Sequence, residues 1–291
     1  MRFLVAIAIV LAVGRSETPA PGIIGGIKAV ERELGYGQTK VFTKTGAPVE
    51  AYYYCYYTEK LTLPASYEDL RFERGTAAGC RLDPKKYDIF FYPMEAVASD
   101  KTTVTEKLAQ ASLERQAVVV SHEDFHVQDA VKKLPEPLAE AATTLVGFLT
   151  AAEYAKREFG ETSDSHGKLA GEAELFLRKA ALVNESHAKL SELYQCLRRG
   201  QISKREALAT KEKHYAELRK GCEALPASAS FNPCPAAMNN AGLAFDATYT
   251  RHYPLMYDVF VARGRDAKAT IATITQAASE IDPERFLRRV R

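Results

Sequence analysis

Apolar side chains recur at three- and four-residue spacing over residues 22–34 and stop at Gly35, which predicts a short amphipathic helix. From Thr39 the period shortens. Residues 38–43, 51–57 and 87–92 are β-branched or aromatic runs bounded by Gly, Pro and Asp, so they read as strands of an N-terminal mixed β-sheet. The tyrosines at 52, 53, 54, 56 and 57 are accounted for as the two packed faces of one strand. A helical period returns over 105–132 and is broken by Pro135 and Pro137, with a new helix from about Leu138 to Gly160. After a polar loop at 161–167 comes a long proline-free amphipathic stretch, 169–199, that stops at Gly200. Ser203 and Glu206 form an S-x-x-E start signal for a further helix to about Lys220, giving an antiparallel hairpin whose charges at 204–206 and 211–213 suit a solvated face. Helical segments follow at about 236–263 and 266–281, and Pro283 marks a final break. The fold class expected is α+β, with a mainly α-helical C-terminal half.

Composition narrows the function classes. The 291 residues are 46% hydrophobic and 26% charged, ordinary values for a globular core. Thirty-nine basic against 37 acidic residues leave a net charge of +2, so no global field invites nucleic acid. Arg2, the apolar run 3–13 and Ala12-Val13-Gly14 read as a signal peptide over residues 1–14. No later run reaches the ~18 apolar residues of a membrane-spanning helix. The expectation is one exported domain, periplasmic or secreted, over 15–291: sheet and motif helix at about 22–160, helical part at about 168–291. Of the five cysteines, Cys222 and Cys234 are the preferred disulfide pair, because they bracket a Pro/Ser/Asn-rich loop.

The chemistry gathers at His122-Glu123-Asp124-Phe125-His126, an H-E-x-x-H pattern inside the predicted helix 105–132. Two histidines four residues apart on a helix reach one metal ion, and a glutamate beside them can take a proton from the water at the open coordination position. A third ligand must come from elsewhere. Glu140 is the candidate, past the proline turn; Glu136 competes from four residues earlier, and Asp129 suits a hydrogen bond to a ligand imidazole. Glu123 is the expected general base on one Zn²⁺ ion's water, and Tyr249, His252 and Tyr253 form the best cluster for an oxyanion donor, with Tyr249 preferred. His166, His187 and His214 read as surface histidines.

With these residues in view the chain resembles the predicted aminopeptidases among bacterial exported zinc metallopeptidases, of the gluzincin type. The segments that carry the resemblance run in order: Glu33-Leu34-Gly35-Tyr36 leading into 40–57, the motif with Gln128, Ala139-Glu140-Ala141 with Val146-Gly147, the charged hairpin, and Asn239-Asn240-Ala241-Gly242-Leu243 leading to Thr248-Tyr249. It implies a zincin-like fold, His122, His126 and Glu140 as zinc ligands, Glu123 as catalytic carboxylate, and Asn239, Asn240 and Tyr249 near the site. The expected function is zinc-dependent peptide hydrolysis, as an aminopeptidase on peptide or protein substrates. An exported zinc-binding or inactive zincin-fold binding protein is the alternative, because Asp124 and Phe125 stand where such proteins carry small or apolar residues.

Overall fold

The computed structural model describes residues 21–43, 49–99 and 102–291, so the expected signal peptide lies outside the described residues. The chain is α+β, with a small sheet near its N-terminal end and helices thereafter. Strand β1 (Tyr52–Glu59) is central, flanked by β2 (Arg71–Arg74) and β3 (Tyr87–Met94). Both pairings are antiparallel, with Tyr52 opposite Met94 and Glu59 opposite Tyr87 on one side, and Tyr54 opposite Arg74 on the other. The sheet is therefore not the mixed one expected. Tyr56 packs on Phe90 and Phe245, and Tyr57 on Tyr87, as sheet-packing tyrosines should.

The run 38–43 is not a strand; β2 is the third one. Val41 and Phe42 are buried in the helical core, and Phe42 has a φ of 59°, a left-handed turn that no strand tolerates. Thr39 Oγ1 donates to Asp124 Oδ1 at 2.5 Å and Phe42 N–H to Thr102 O at 3.1 Å, single contacts rather than a strand ladder.

The first helix, α1 (Pro21–Leu34), packs against α3 (Leu113–His126) and α4 (Glu136–Phe159). The period over 105–132 is cut into a short α2 (Glu106–Ala109) and α3, because Thr105 and Ser112 each cap a new start with their side-chain oxygens. α3 then ends at His126, and residues 127–130 are turn. α4 starts at Glu136 with Pro137 in its first turn, where a missing N–H removes no helical hydrogen bond.

Downstream run α5 (Asp164–Ala170), α6 (Glu172–Arg198) and α7 (Lys204–Glu223), the last with the expected reciprocal cap between Ser203 and Glu206. Lys211 departs from the solvated face predicted for it: it is 2% exposed, with Nζ 2.5 Å from Asp88 Oδ2 and 2.9 Å from Lys60 O. The segment 236–263 divides into α8 (Asn240–Thr250) and α9 (Tyr253–Ala262), followed by α10 (Ala267–Ala277). Pro283 opens α11 (Pro283–Val290) instead of ending the helical part, behind an Asp282 cap. Cys222–Cys234 is bridged as expected, a second disulfide joins Cys55 to Cys80, and Cys196 is free. Two disulfides fit an oxidising compartment. No described helix is long and apolar enough to cross a membrane.

One contact fixes the spacing of α3 and α4. A Cβ on Gly147 would lie 3.1 Å from Val118 O and 3.3 Å from His122 Cβ, so any larger residue here would press on α3. Replacing it, as in Gly147→Val, should destabilise the fold by about 1–3 kcal/mol through overpacking. Urea unfolding measures this, and an unchanged midpoint would contradict the close approach.

Candidate metal centre

His122 and His126 occupy the last turns of α3, and Glu140 lies one turn into α4, across the connection at 127–135. The three converge. His126 Nε2 is 3.1 Å from His122 Nε2 and 3.2 Å from Glu140 Oε2, and His122 Nε2 is 3.4 Å from the same oxygen. Three corners of a tetrahedron drawn around zinc at 2.0–2.1 Å are about 3.3–3.4 Å apart, so the triangle has the size such an ion requires. Among the described residues this group could hold a metal ion. The ligand atoms are two nitrogens and one carboxylate oxygen, a donor set typical of catalytic zinc.

Electrostatics agree with the geometry. Burial alone would lower the pKa of His126, but the Glu140 carboxylate more than offsets this and pushes it up to about 9. Burial would raise Glu140, yet the two imidazoles hold it well below the usual carboxylate range. Thr143 Oγ1, 3.2 Å from His126 Nε2, adds a hydroxyl to the same corner.

Glu136 is not one of the three. Its carboxylate accepts the Tyr67 hydroxyl, which also lies 3.3 Å from Glu140 Oε1. Tyr67 thus takes the Glu140 oxygen that faces away from the histidines, leaving Oε2 for an ion. Nothing in the sequence marked this tyrosine: it sits in a single 3-10 turn, Tyr67–Asp69, and is held by Thr248 Oγ1 at its N–H, 2.9 Å away. Asp129 does not reach an imidazole; its side chain is 98% exposed, 3.8 Å from Lys132.

Asp124 and Phe125 are turned away from the site, because a step of two residues along a helix rotates a side chain by about 200°. Asp124 is fully buried against α1, where it contacts Lys28 Nζ and accepts from Thr39 Oγ1 at 2.5 Å. Phe125 packs on Tyr36, ring centroids 5.1 Å apart. Beside them Glu31 is pushed up to about 10, first by burial and then by the Asp124 charge.

Glu123 faces a cleft of about 480 Å³ that is also lined by His122 and Tyr249. Burial raises its pKa, while the imidazoles of His122 and His126 oppose the shift. The Tyr249 ring lies 6.3 Å from the His122 ring, and burial keeps its phenol protonated far above the usual range. The other members of its predicted cluster lie elsewhere. Tyr253 is a core side chain whose hydroxyl donates to Ala173 O at 3.0 Å, and His252 stands 3.9 Å from Glu284.

Asn239 and Asn240 seat α8, which brings Tyr249 to the cleft. Asn239 Oδ1 caps the helix at Gly242 N, 3.0 Å away, and Gly242 is tight because a Cβ there would come within 2.1 Å of Ala237 O. Asn240, fully buried, accepts from Tyr194 and Tyr215 and donates to the carbonyls of Lys60 and Thr62. His166 and His214 are not in the site, and His187 is tied to Pro64 O at 3.1 Å rather than being a free surface group.

The sequence profile of a family described as Putative aminopeptidase matches residues 103–287. No curated protein and no solved structure gives a significant match.

Two outcomes follow for metal binding. Tyr67→Phe should weaken zinc affinity by about 10–100-fold, the usual effect of losing a hydrogen bond to a ligand, whereas Asp129→Ala should leave it unchanged. Competition with a chromophoric chelator reads both, and equal affinities in the tyrosine variant would remove Tyr67 from the site. Below pH 9 the free protein holds a proton on His126 that an ion must displace, while ionised Glu140 releases none. Affinity should therefore climb about tenfold per pH unit towards that value and then level, with buffer-dependent calorimetric heats showing proton release.

Proposed function

The chain belongs to this aminopeptidase family, and we propose from that premise that it is a zinc-dependent peptidase, with His122, His126 and Glu140 as ligands and Glu123 as general base. The observation that carries the reading is the ligand triangle of 3.1, 3.2 and 3.4 Å with Glu123 on its cleft side. A bound zinc ion supplies a nucleophilic water at neutral pH and a Lewis acid for the scissile carbonyl.

The protein's own part is proton handling and placement. Glu123, with its proton affinity raised by burial, accepts the proton of the attacking water and passes it to the leaving amine. Tyr249 keeps its hydroxyl proton and lines the same cleft, a position suited to donating to the oxygen that gains charge. The partner is a peptide or protein, and the family name favours removal of residues from an N-terminus. We take residues 15–291 as one zincin-like domain, exported after loss of 1–14. The two disulfides support that address.

Asp124 and Phe125, the residues that favoured an inactive binding protein, are occupied behind the helix and leave Glu123 unobstructed. Glu123→Gln should keep near-stoichiometric zinc and lose peptide hydrolysis. Retained turnover in that variant, with metal content confirmed, would sink the mechanism.

A further inference from the structure

We propose that the cleft beside the metal centre is a pocket for one large apolar or aromatic side chain of the residue next to the scissile bond. The inference rests on the peptidase reading above and adds a substrate class to it.

The cleft leaves the ligands along two helix faces. On α3 it runs back from His122 past Val119 to Arg115, and on α4 it runs from Thr144 to Phe148, one and two turns beyond Glu140. At 1.5 Å per residue the α3 path extends roughly 10 Å and the α4 path roughly 6 Å. They end on three rings, Phe148, Phe176 and Phe231, whose centroids are 5.1, 5.4 and 5.6 Å apart.

Phe231 belongs to the loop between α7 and α8, and this loop is fixed from several sides. The Glu172 carboxylate accepts Ser228 Oγ at 2.5 Å and Ala229 N at 3.0 Å. Arg115 Nη1 donates to Ser230 O at 2.6 Å, Lys179 Nζ donates to Asn232 O at 2.8 Å, and the Cys222–Cys234 bridge closes the segment. The far end is thereby lined by a fixed loop and the three rings.

Charge selects the occupant. Arg115 is paired with Glu95 at 2.8 Å and Lys179 Nζ lies 2.8 Å from Asp246 Oδ2, so both cations beside the three rings already face a carboxylate, and the third cation of the cleft, Lys107, donates to Pro93 O at 2.9 Å. An apolar side chain meets the rings instead and gains from leaving water. The depth accommodates a Phe, Tyr or Leu side chain together with the backbone unit that carries it.

Calorimetric titration of the zinc-loaded protein with amino-acid hydroxamates of Phe, Leu, Ala, Lys and Asp tests the pocket without requiring turnover. Phe and Leu should bind about 10–200-fold more tightly than Ala, with Lys and Asp no better than Ala, and Val119→Phe should reduce the Phe-to-Ala ratio about tenfold by filling the floor. Equal affinities across the series, absence of binding included, would overturn the pocket. If Phe is preferred while no peptide carrying it is cleaved, the pocket stands and the peptidase reading falls.

Discussion

The close approach of α3 and α4 at Gly147 is the constraint on which the site depends. Side chains at a helix contact set the distance between the helices, and position 147 has no Cβ to press on Val118 O and His122 Cβ, which it would meet at 3.1 and 3.3 Å. Four residues on, along the same face of α4, Ala151 is likewise small and buried. This spacing lets a carboxylate one turn into α4 reach two imidazoles at the end of α3. The same spacing lays the two helix faces side by side as the floor of the cleft.

Around that pair, polar contacts over long sequence distances set rotation and tilt. Lys28 and Asp124 hold the back of the motif helix, Tyr67 meets Glu136 and Glu140 from the sheet side, and Lys211, Asp88 and Asn240 pin the start of α8. Buried charges of this kind contribute little net stability, since desolvation offsets most of the attraction. Their effect is to make one arrangement of helices and sheet cheaper than its neighbours, because any other would strand a charge.

How much of this the sequence disclosed follows from the range of each interaction. The candidate histidines were legible because spacing on one helix is a local property, and Glu140 was reachable by counting through a proline turn. Helix ends were read less well. Ser112 splits the motif segment with a cap that apolar periodicity does not register, and Pro283 begins a helix because its missing N–H falls in a first turn. The segment 38–43 has strand chemistry, yet Thr39 and Phe42 are claimed by the helical core, a tertiary choice that propensity does not record. Tyr67 and Lys211 were hidden for the same reason: their partners lie 69 and 123 residues away. Asp124 looked like a flaw in the motif and proved to be its anchor to α1.

With the proposed ion bound, that anchor would make α1 and the metal centre thermodynamic partners. One helix carries Asp124 on its back and the two imidazoles on its front, so an ion that rigidifies α3 also favours the docked α1, by the same free energy with which a docked α1 favours the ion. An ion held at residues 122–140 would thereby be felt at residue 28, and its occupancy would be read from the hydrogen-exchange protection of α1.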